Sequence, residues 1–321
     1  MVFADMKNDF VFRRIFATHP EILRGLLNDL LERTGDQTIV SLEYLPSEQL
    51  PHVLGAKLSV LDVRCRDQGG AIFIVEMQLI HVSGFINRVV YNGCKAYVNQ
   101  LKAGDPYTRL VDVVAVSICD FELWPDAAQD AGNEPRMPML THFAMKERNT
   151  GNDGLLQVQY AFLELPKVPK ERPKGGAPLW AWLFVHAPEL REVPEDLPQG
   201  PMRDAMELAK EWKFSDLEME AYRKVMDEIW QARQLVEDKL AQGLALGREQ
   251  GLAQGLAQGR VEGERKAKRD ALFRVLKRSG IEVSEQDQNR ILACEDDTKL
   301  ETWFDKALAA KLIDEVFAEG V

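Results

Sequence analysis

Residues 56–80 read AKLSVLDVRCRDQGGAIFIVEMQLI, and the order of polar and apolar residues in this stretch decides the fold. Two β-rich runs, 56–66 and 71–80, flank Asp67-Gln68-Gly69-Gly70. That tetrapeptide is a hairpin signal, with glycine available for the left-handed position. If Gln68, Gly69 and Gly70 form the loop, Asp67 pairs with Ala71 and Asp62 lies directly across from Glu76. Cross-strand partners share a face, with Cβ atoms about 4.5–5.5 Å apart. Gln78, two residues beyond Glu76, points the same way. Leu61, Val63, Cys65, Phe73, Val75 and Met77 occupy the opposite face, which reads as core. The hairpin therefore places two acids and an amide together on strands that otherwise look buried.

Adjacent carboxylates repel one another and resist desolvation unless a cation or proton joins them. A divalent metal resolves this. Hard Mg²⁺ prefers carboxylate oxygens, keeps several waters, and is usually held by one or two carboxylates plus substrate phosphate. The same spacing also admits a plainer reading, in which the strands are less buried and Asp62 or Glu76 pairs with Arg64 or Arg66.

On the N-terminal side of the hairpin, residues 9–31 have helical periodicity, renewed at Pro20, and residues 38–45 read as a strand. On its C-terminal side, residues 85–102 return to helical period, with Ile86, Val89, Val90, Gly93, Tyr97 and Leu101 expected on the apolar face. Arg88, Lys95 and Lys102 recur every seven residues and align on one stripe, flanked by Tyr91, Asn92 and Asn99. Such a face either tracks phosphates or is an ordinary solvated surface. Residues 110–119 form a near-continuous apolar strand of the buried kind, and 139–145 and 155–165 are two further strands.

The proline-rich stretch from Pro166 to Pro201, holding a short aromatic helix over 179–185, is expected to contain the main domain boundary. The chain then divides into a domain at 1–166, a linker at 167–201, a long helix at 202–264 and a small helical module at 265–321. Within the long helix, glycine recurs every fourth residue from Gly243 to Gly263. Each interior glycine costs a helix about 1 kcal/mol relative to alanine. The repeat reads as a self-associating helix that would make a homo-oligomer, or as a flexible stalk. Residues 260–278 are basic, with eight cationic side chains against three acidic ones.

Composition narrows the function. The 321 residues are 45% hydrophobic and 28% charged, with a net charge of −11. A disordered chain is poorer in apolar residues, and a nucleic-acid site in so acidic a body must be local. The four cysteines and five histidines show no paired metal-ligand spacing, and scattered single cysteines read as buried free thiols suited to a reducing cytoplasm. Neither a signal-peptide pattern nor an apolar run of membrane-spanning length is present.

Asp62, followed after thirteen residues by Glu76-Met77-Gln78, resembles the PD-(D/E)XK nuclease signature. Asn8-Asp9-Phe10-Val11-Phe12, Arg88, Tyr91, Tyr97 and Gly104-Asp105-Pro106-Tyr107 sharpen the likeness to the recombination-promoting nuclease and transposase branch of that superfamily in bacteria, over roughly residues 1–166. The resemblance implies a restriction-endonuclease-like α/β fold, a mixed sheet flanked by helices and followed by a helical C-terminal region. It also implies a Mg²⁺-dependent DNA endonuclease acting in recombination or transposition. Asp62 and Glu76 would hold the metal, Gln78 would position the attacking water, and Asp9 would add an outer carboxylate. Arg88, Tyr91, Lys95 and Lys102 would meet the DNA backbone. The superfamily pattern has lysine at the place of Gln78, and glutamine supplies no charge and no base near neutral pH. The rival expectation is a DNA-docking protein that does not cleave and that assembles through its helical tail.

Overall fold

Asp67 and Ala71 close the turn in the expected register: the Asp67 N–H donates to the Ala71 carbonyl at 3.0 Å. Gly70, at φ 92°, takes the left-handed conformation that a side chain would resist. The computed structural model describes residues 3–49, 59–125 and 137–318. Residues 56–58 of the first hairpin run lie outside that set.

The chain begins with helices α1 (Asp9–Phe16) and α2 (Pro20–Leu30), then β1 (Leu42–Tyr44) and the two-residue strands β2 (Glu48–Gln49) and β3 (Ser59–Val60). The hairpin strands are β4 (Val63–Asp67) and β5 (Ile72–Gln78). Helix α3 (Phe85–Val98) leads to β6 (Val113–Cys119), followed by β7 (Leu140–Lys146) and β8 (Asp153–Glu164). Helices α4 (Gly176–His186) and α5 (Pro201–Leu208) precede the long α6 (Asp216–Arg278). The sheet is mixed, in the order β1-β4-β5-β6-β8-β7. β5, β6 and β8 run parallel to one another and the remaining neighbours are antiparallel. A parallel pair needs a crossover, and α3 supplies it between β5 and β6. Every residue of β6 is buried, as its unbroken apolar run requires of a central parallel strand.

Both faces of the sheet are covered. On one, Val63, Cys65, Phe73, Val75 and Met77 share a core with Phe12 and Phe16 of α1, Leu23 and Leu27 of α2, and Trp180 and Phe184 of α4. On the other, Ile72 and Ile74 meet Phe85, Val89 and Ala96 of α3. Asn8 starts α1 by accepting hydrogen bonds from the Phe10 and Val11 amides. α2 approaches α5 so closely that a Cβ at Gly25 would stand 2.5 Å from Pro201 Cβ.

The chain divides later than the proline-rich stretch led us to expect. The first compact unit runs to Gln234, and the second begins at Leu235, inside α6. α4 belongs to the core rather than to a linker: Trp180, Leu183 and Phe184 are fully buried, and the Trp180 indole donates to Asp29 at 2.8 Å. A helix apolar on every side must be buried on every side. The flanking prolines mark the loops around it.

In the second unit, the end of α6 packs with α7 (Glu285–Leu292), α8 (Asp297–Ala307) and α9 (Ile313–Phe317) around Leu272, Leu276, Ile291, Leu300 and Val316. Ser284 and Asp287 form a capping box at the start of α7. Leu292, Leu308 and Leu312, though apolar, are exposed. Among the described residues no helix is long and apolar enough to cross a membrane. Cys65 and Cys119 are buried free thiols as expected, whereas Cys94 is exposed.

Candidate active site

The regular β4–β5 ladder ends at Val63 opposite Val75, and Asp62 stands one step beyond it. Its carboxylate folds back on the partner strand, where Oδ2 accepts from the Met77 N–H at 2.8 Å. Oδ1 accepts from Arg13 Nη2, also at 2.8 Å. Arg13 lies one helical turn after Asp9, and its Nε is 3.2 Å from Asp9 Oδ1. One guanidinium thus joins the first helix to the hairpin. The cation paired with Asp62 is therefore Arg13, and neither Arg64 nor Arg66 is needed for that role.

Glu76 projects from the α3 side of β5, where Asn92 Nδ2 donates to its Oε1 at 3.1 Å. Burial pushes the Glu76 carboxyl above its ordinary value, and the negative charge of Asp62 pushes it further. The Arg88 charge and the Asn92 hydrogen bond act in the opposite sense. Asp9 is also raised, first by burial and then by Asp62, with Arg13 opposing. Three carboxylates therefore crowd one end of the hairpin, and the repulsion expected of an acid pair is present.

Asp62, Glu76 and Gln78 line a cleft of about 700 Å³, together with Ser59, Asn87, Arg88, Tyr91 and Asn92. Among the described residues, no group of three or more His, Cys, Asp or Glu side chains could enclose a metal ion. The donor chemistry suits a hard divalent cation all the same: two carboxylates face one cleft, and such ions take one or two protein carboxylates, with water and phosphate completing the shell.

The expected basic stripe of α3 is only partly realised. Tyr91 lines the cleft and is 44% exposed. Lys95 is 8% exposed, and its Nζ donates to the Gln49 carbonyl at 2.8 Å and approaches Ser59 Oγ at 3.5 Å. It is a largely buried strut between α3 and the β2–β3 pair. α3 ends at Val98, so Lys102 lies beyond the helix, in a turn where its N–H donates to Asp105. The helix is also rotated from the expected orientation: Phe85, Val89, Asn92, Gly93 and Ala96 are buried, while Ile86 and Val90 are exposed. Packing of Gly93 against Tyr160 and Val158 sets that rotation. Lys95 is carried inward with Asn92 and Ala96.

Gln78 is committed at both ends of its amide. Nε2 donates to the Ile80 carbonyl at 2.9 Å, and Oε1 accepts from Arg88 Nη2. Each end of the amide is engaged once, which leaves one N–H and one oxygen lone pair for other partners. Arg13 carries little sequence signal because its partner Asp62 is non-local; the local trace is the Asp9–Arg13 spacing of four residues on one helix face.

A helix-flanked mixed sheet, with acids from adjacent strands opening into a cleft beside a crossover helix, is the architecture of a nuclease of the PD-(D/E)XK type. A family model described as PD-(D/E)XK nuclease family transposase matches residues 6–239. The chain belongs to that family, and the match ends within α6, close to the end of the first compact unit. Nucleases of this kind generally act on DNA with a divalent metal. No curated protein and no solved structure matches the chain.

Proposed function

We propose that this chain is a Mg²⁺-dependent DNA endonuclease serving recombination or the movement of mobile elements in the bacterial cytoplasm. The observation that carries the reading is the meeting of Asp62, Glu76 and Arg88 in one cleft of a PD-(D/E)XK fold. Asp62 and Glu76 would hold the cation, which when bound polarises the scissile phosphate and lowers the pKa of a water. Asp9, tied to Asp62 through Arg13, sets the charge around that pair from the outside. Tyr91 offers a partly exposed ring and hydroxyl at the cleft wall, suited to a nucleotide base or sugar. Hydrolysis transfers the phosphoryl group to water and leaves a phosphate on one DNA end and a hydroxyl on the other.

The free cysteines agree with a reducing compartment. Self-association through Gly243–Gly263 belongs to the same proposal. It is supported by the open space around those glycines and by the exposure of Leu240, Leu244, Leu252 and Leu256. The rival reading, DNA docking without cleavage, draws on one observation, the engaged Gln78 amide.

Supercoiled plasmid incubated with the protein and Mg²⁺ tests the proposal. Nicking or linearisation that is lost in EDTA and in Asp62→Ala is the expected result. Retained DNA binding with no cleavage by the parent would favour the docking reading.

A further inference from the structure

Arg88 is the one cationic side chain among the described residues that line the cleft. Both of the proposed metal ligands are acids, and Gln78 beside them is neutral, so among the described residues any further positive charge offered to a phosphate from the cleft wall comes from Arg88. Its placement is built rather than incidental. It stands in the first turns of α3, one helical turn after Phe85, and its guanidinium carbon is 5.4 Å from the centre of that ring. The Arg88 Nη2 donates to Gln78 Oε1, and the Gln78 amide is itself anchored on the Ile80 carbonyl. The glutamine thus works as a bracket that holds the guanidinium over the end of β5. Arg88 Nε is buried and has no hydrogen-bond partner among the described residues. A buried, unpaired N–H on a charged group is costly, and a phosphate oxygen would satisfy it after a small shift of the fork. A guanidinium presents several donors in one plane, a geometry matched to two oxygens of a phosphate.

We infer that Arg88 is the catalytic cation of this cleft and that Gln78 is the positioning residue that aims it. The inference rests on the endonuclease reading above and deepens it. In the reaction, a water oxygen bonds to phosphorus while the bond from phosphorus to the leaving deoxyribose oxygen breaks. One proton of the water ends on that leaving oxygen, so no oxidant or further co-reactant enters. Arg88 holds the non-bridging oxygens as negative charge builds on them. That contribution is larger in the transition state than in the bound substrate, and it appears in the saturating rate more than in affinity.

The test uses the full chain and a labelled DNA duplex. Single-turnover cleavage is followed at saturating protein with Mg²⁺, and affinity for the same duplex is measured with Ca²⁺ in its place. Arg88→Ala is expected to lower the saturating rate by about 10²–10³-fold, the usual loss for one transition-state donor, with a much smaller change in affinity and an unchanged melting temperature. Arg88→Lys, which keeps the charge, recovers part of the rate. Gln78→Lys placed in the Arg88→Ala background puts an ammonium in the space the guanidinium occupied, and is expected to restore about tenfold or more, equivalent to one factor of ten in the rate constant.

A parent that cleaves alongside an Arg88→Ala variant of equal saturating rate overturns this inference alone, as does a loss seen only in affinity. A double variant no faster than Arg88→Ala overturns it too. Should Arg88→Ala fail to fold, Gln78→Ala is judged by the same split, and a rate equal to the parent's overturns the inference. A parent that does not cleave overturns the endonuclease reading and this inference with it.

Discussion

Glycine does opposite things in two helical regions of this molecule. In the first unit, Gly25 and Gly93 are placed where neighbours come close: Pro201 would be 2.5 Å from a Cβ at Gly25, and the Tyr160 ring 3.2 Å from one at Gly93. In α6, the glycines from Gly243 to Gly263 have no heavy atom within 4 Å of an added Cβ. The first pair trades helix propensity for contact. The second set accepts the same penalty, about 1 kcal/mol per residue, with no close approach at the added Cβ positions among the described residues to offset it. Helical glycine is thus explained by tertiary packing in one region, and in the other it leaves the two readings of the repeat, a flexible stalk or a helix that packs on a second copy, to be separated by experiment. The polar residues divide the same way. Asp62, Glu76, Gln78 and Arg88 have fixed partners in or around the cleft, whereas the residues of the repeat are solvent-exposed.

The largest expected effect sharpens this contrast by asking where the chemistry sits. Asp62→Ala and Glu76→Ala are each expected to lower Mg²⁺-dependent cleavage by about three orders of magnitude or more, as loss of several kcal/mol of metal-assisted stabilisation requires. Gel assays of plasmid nicking give the measurement. Cleavage at the parent rate in either variant would remove the proposed ligand pair.

Gly25→Ala is next. The new methyl meets Pro201 at the α2–α5 contact, and overpacking of this kind costs about 1–3 kcal/mol. For a unit of this size that lowers the melting temperature by several degrees, at about 2–4 °C per kcal/mol. A calorimetric transition at or above the parent's would show that the close approach is not what demands glycine there.

For the repeat, the double change Gly251→Ala and Gly255→Ala separates the two accounts of α6. If the helix packs on a second copy, the parent is dimeric or larger at micromolar concentration and the added methyls weaken association. If it is an isolated stalk, helicity rises and mass stays constant, since alanine is the better helix former. Light scattering across a dilution series decides between them. A monomeric parent ends the self-association proposal.

The smallest effect concerns Glu76, whose carboxyl is raised by burial and by Asp62. A raised carboxyl binds its proton more tightly in the folded state, so its contribution is most favourable at low pH and is lost as pH rises through the folded value. Glu76→Gln is therefore expected to raise the melting temperature at neutral pH. The gain should shrink as pH falls toward the ordinary glutamate value of about 4.3. A gain that grows on acidification would reverse the assigned sign.

Local pattern alone made the hairpin legible. The turn at Gln68-Gly69-Gly70, the Val63–Val75 register and the acid pair at its end all follow from period-two alternation and glycine chemistry, and the structure reproduces that register. The family likeness was also in the sequence, because its residues lie in short ordered blocks. Lys95 was not legible as a buried strut, since helical spacing alone leaves the rotation of α3 open; contact of Gly93 with β8 sets it. Nor was the place of α4. Prolines on either side looked like a linker, and only the presence of Phe12 and Phe16 across the interface shows why Trp180 and Phe184 are core. Arg13 reached Asp62 across 49 residues of chain. Periodicity reports which side chains share a face of one element. Which face meets which neighbour depends on volumes and charges far away in the chain, and that was decided by the tertiary structure.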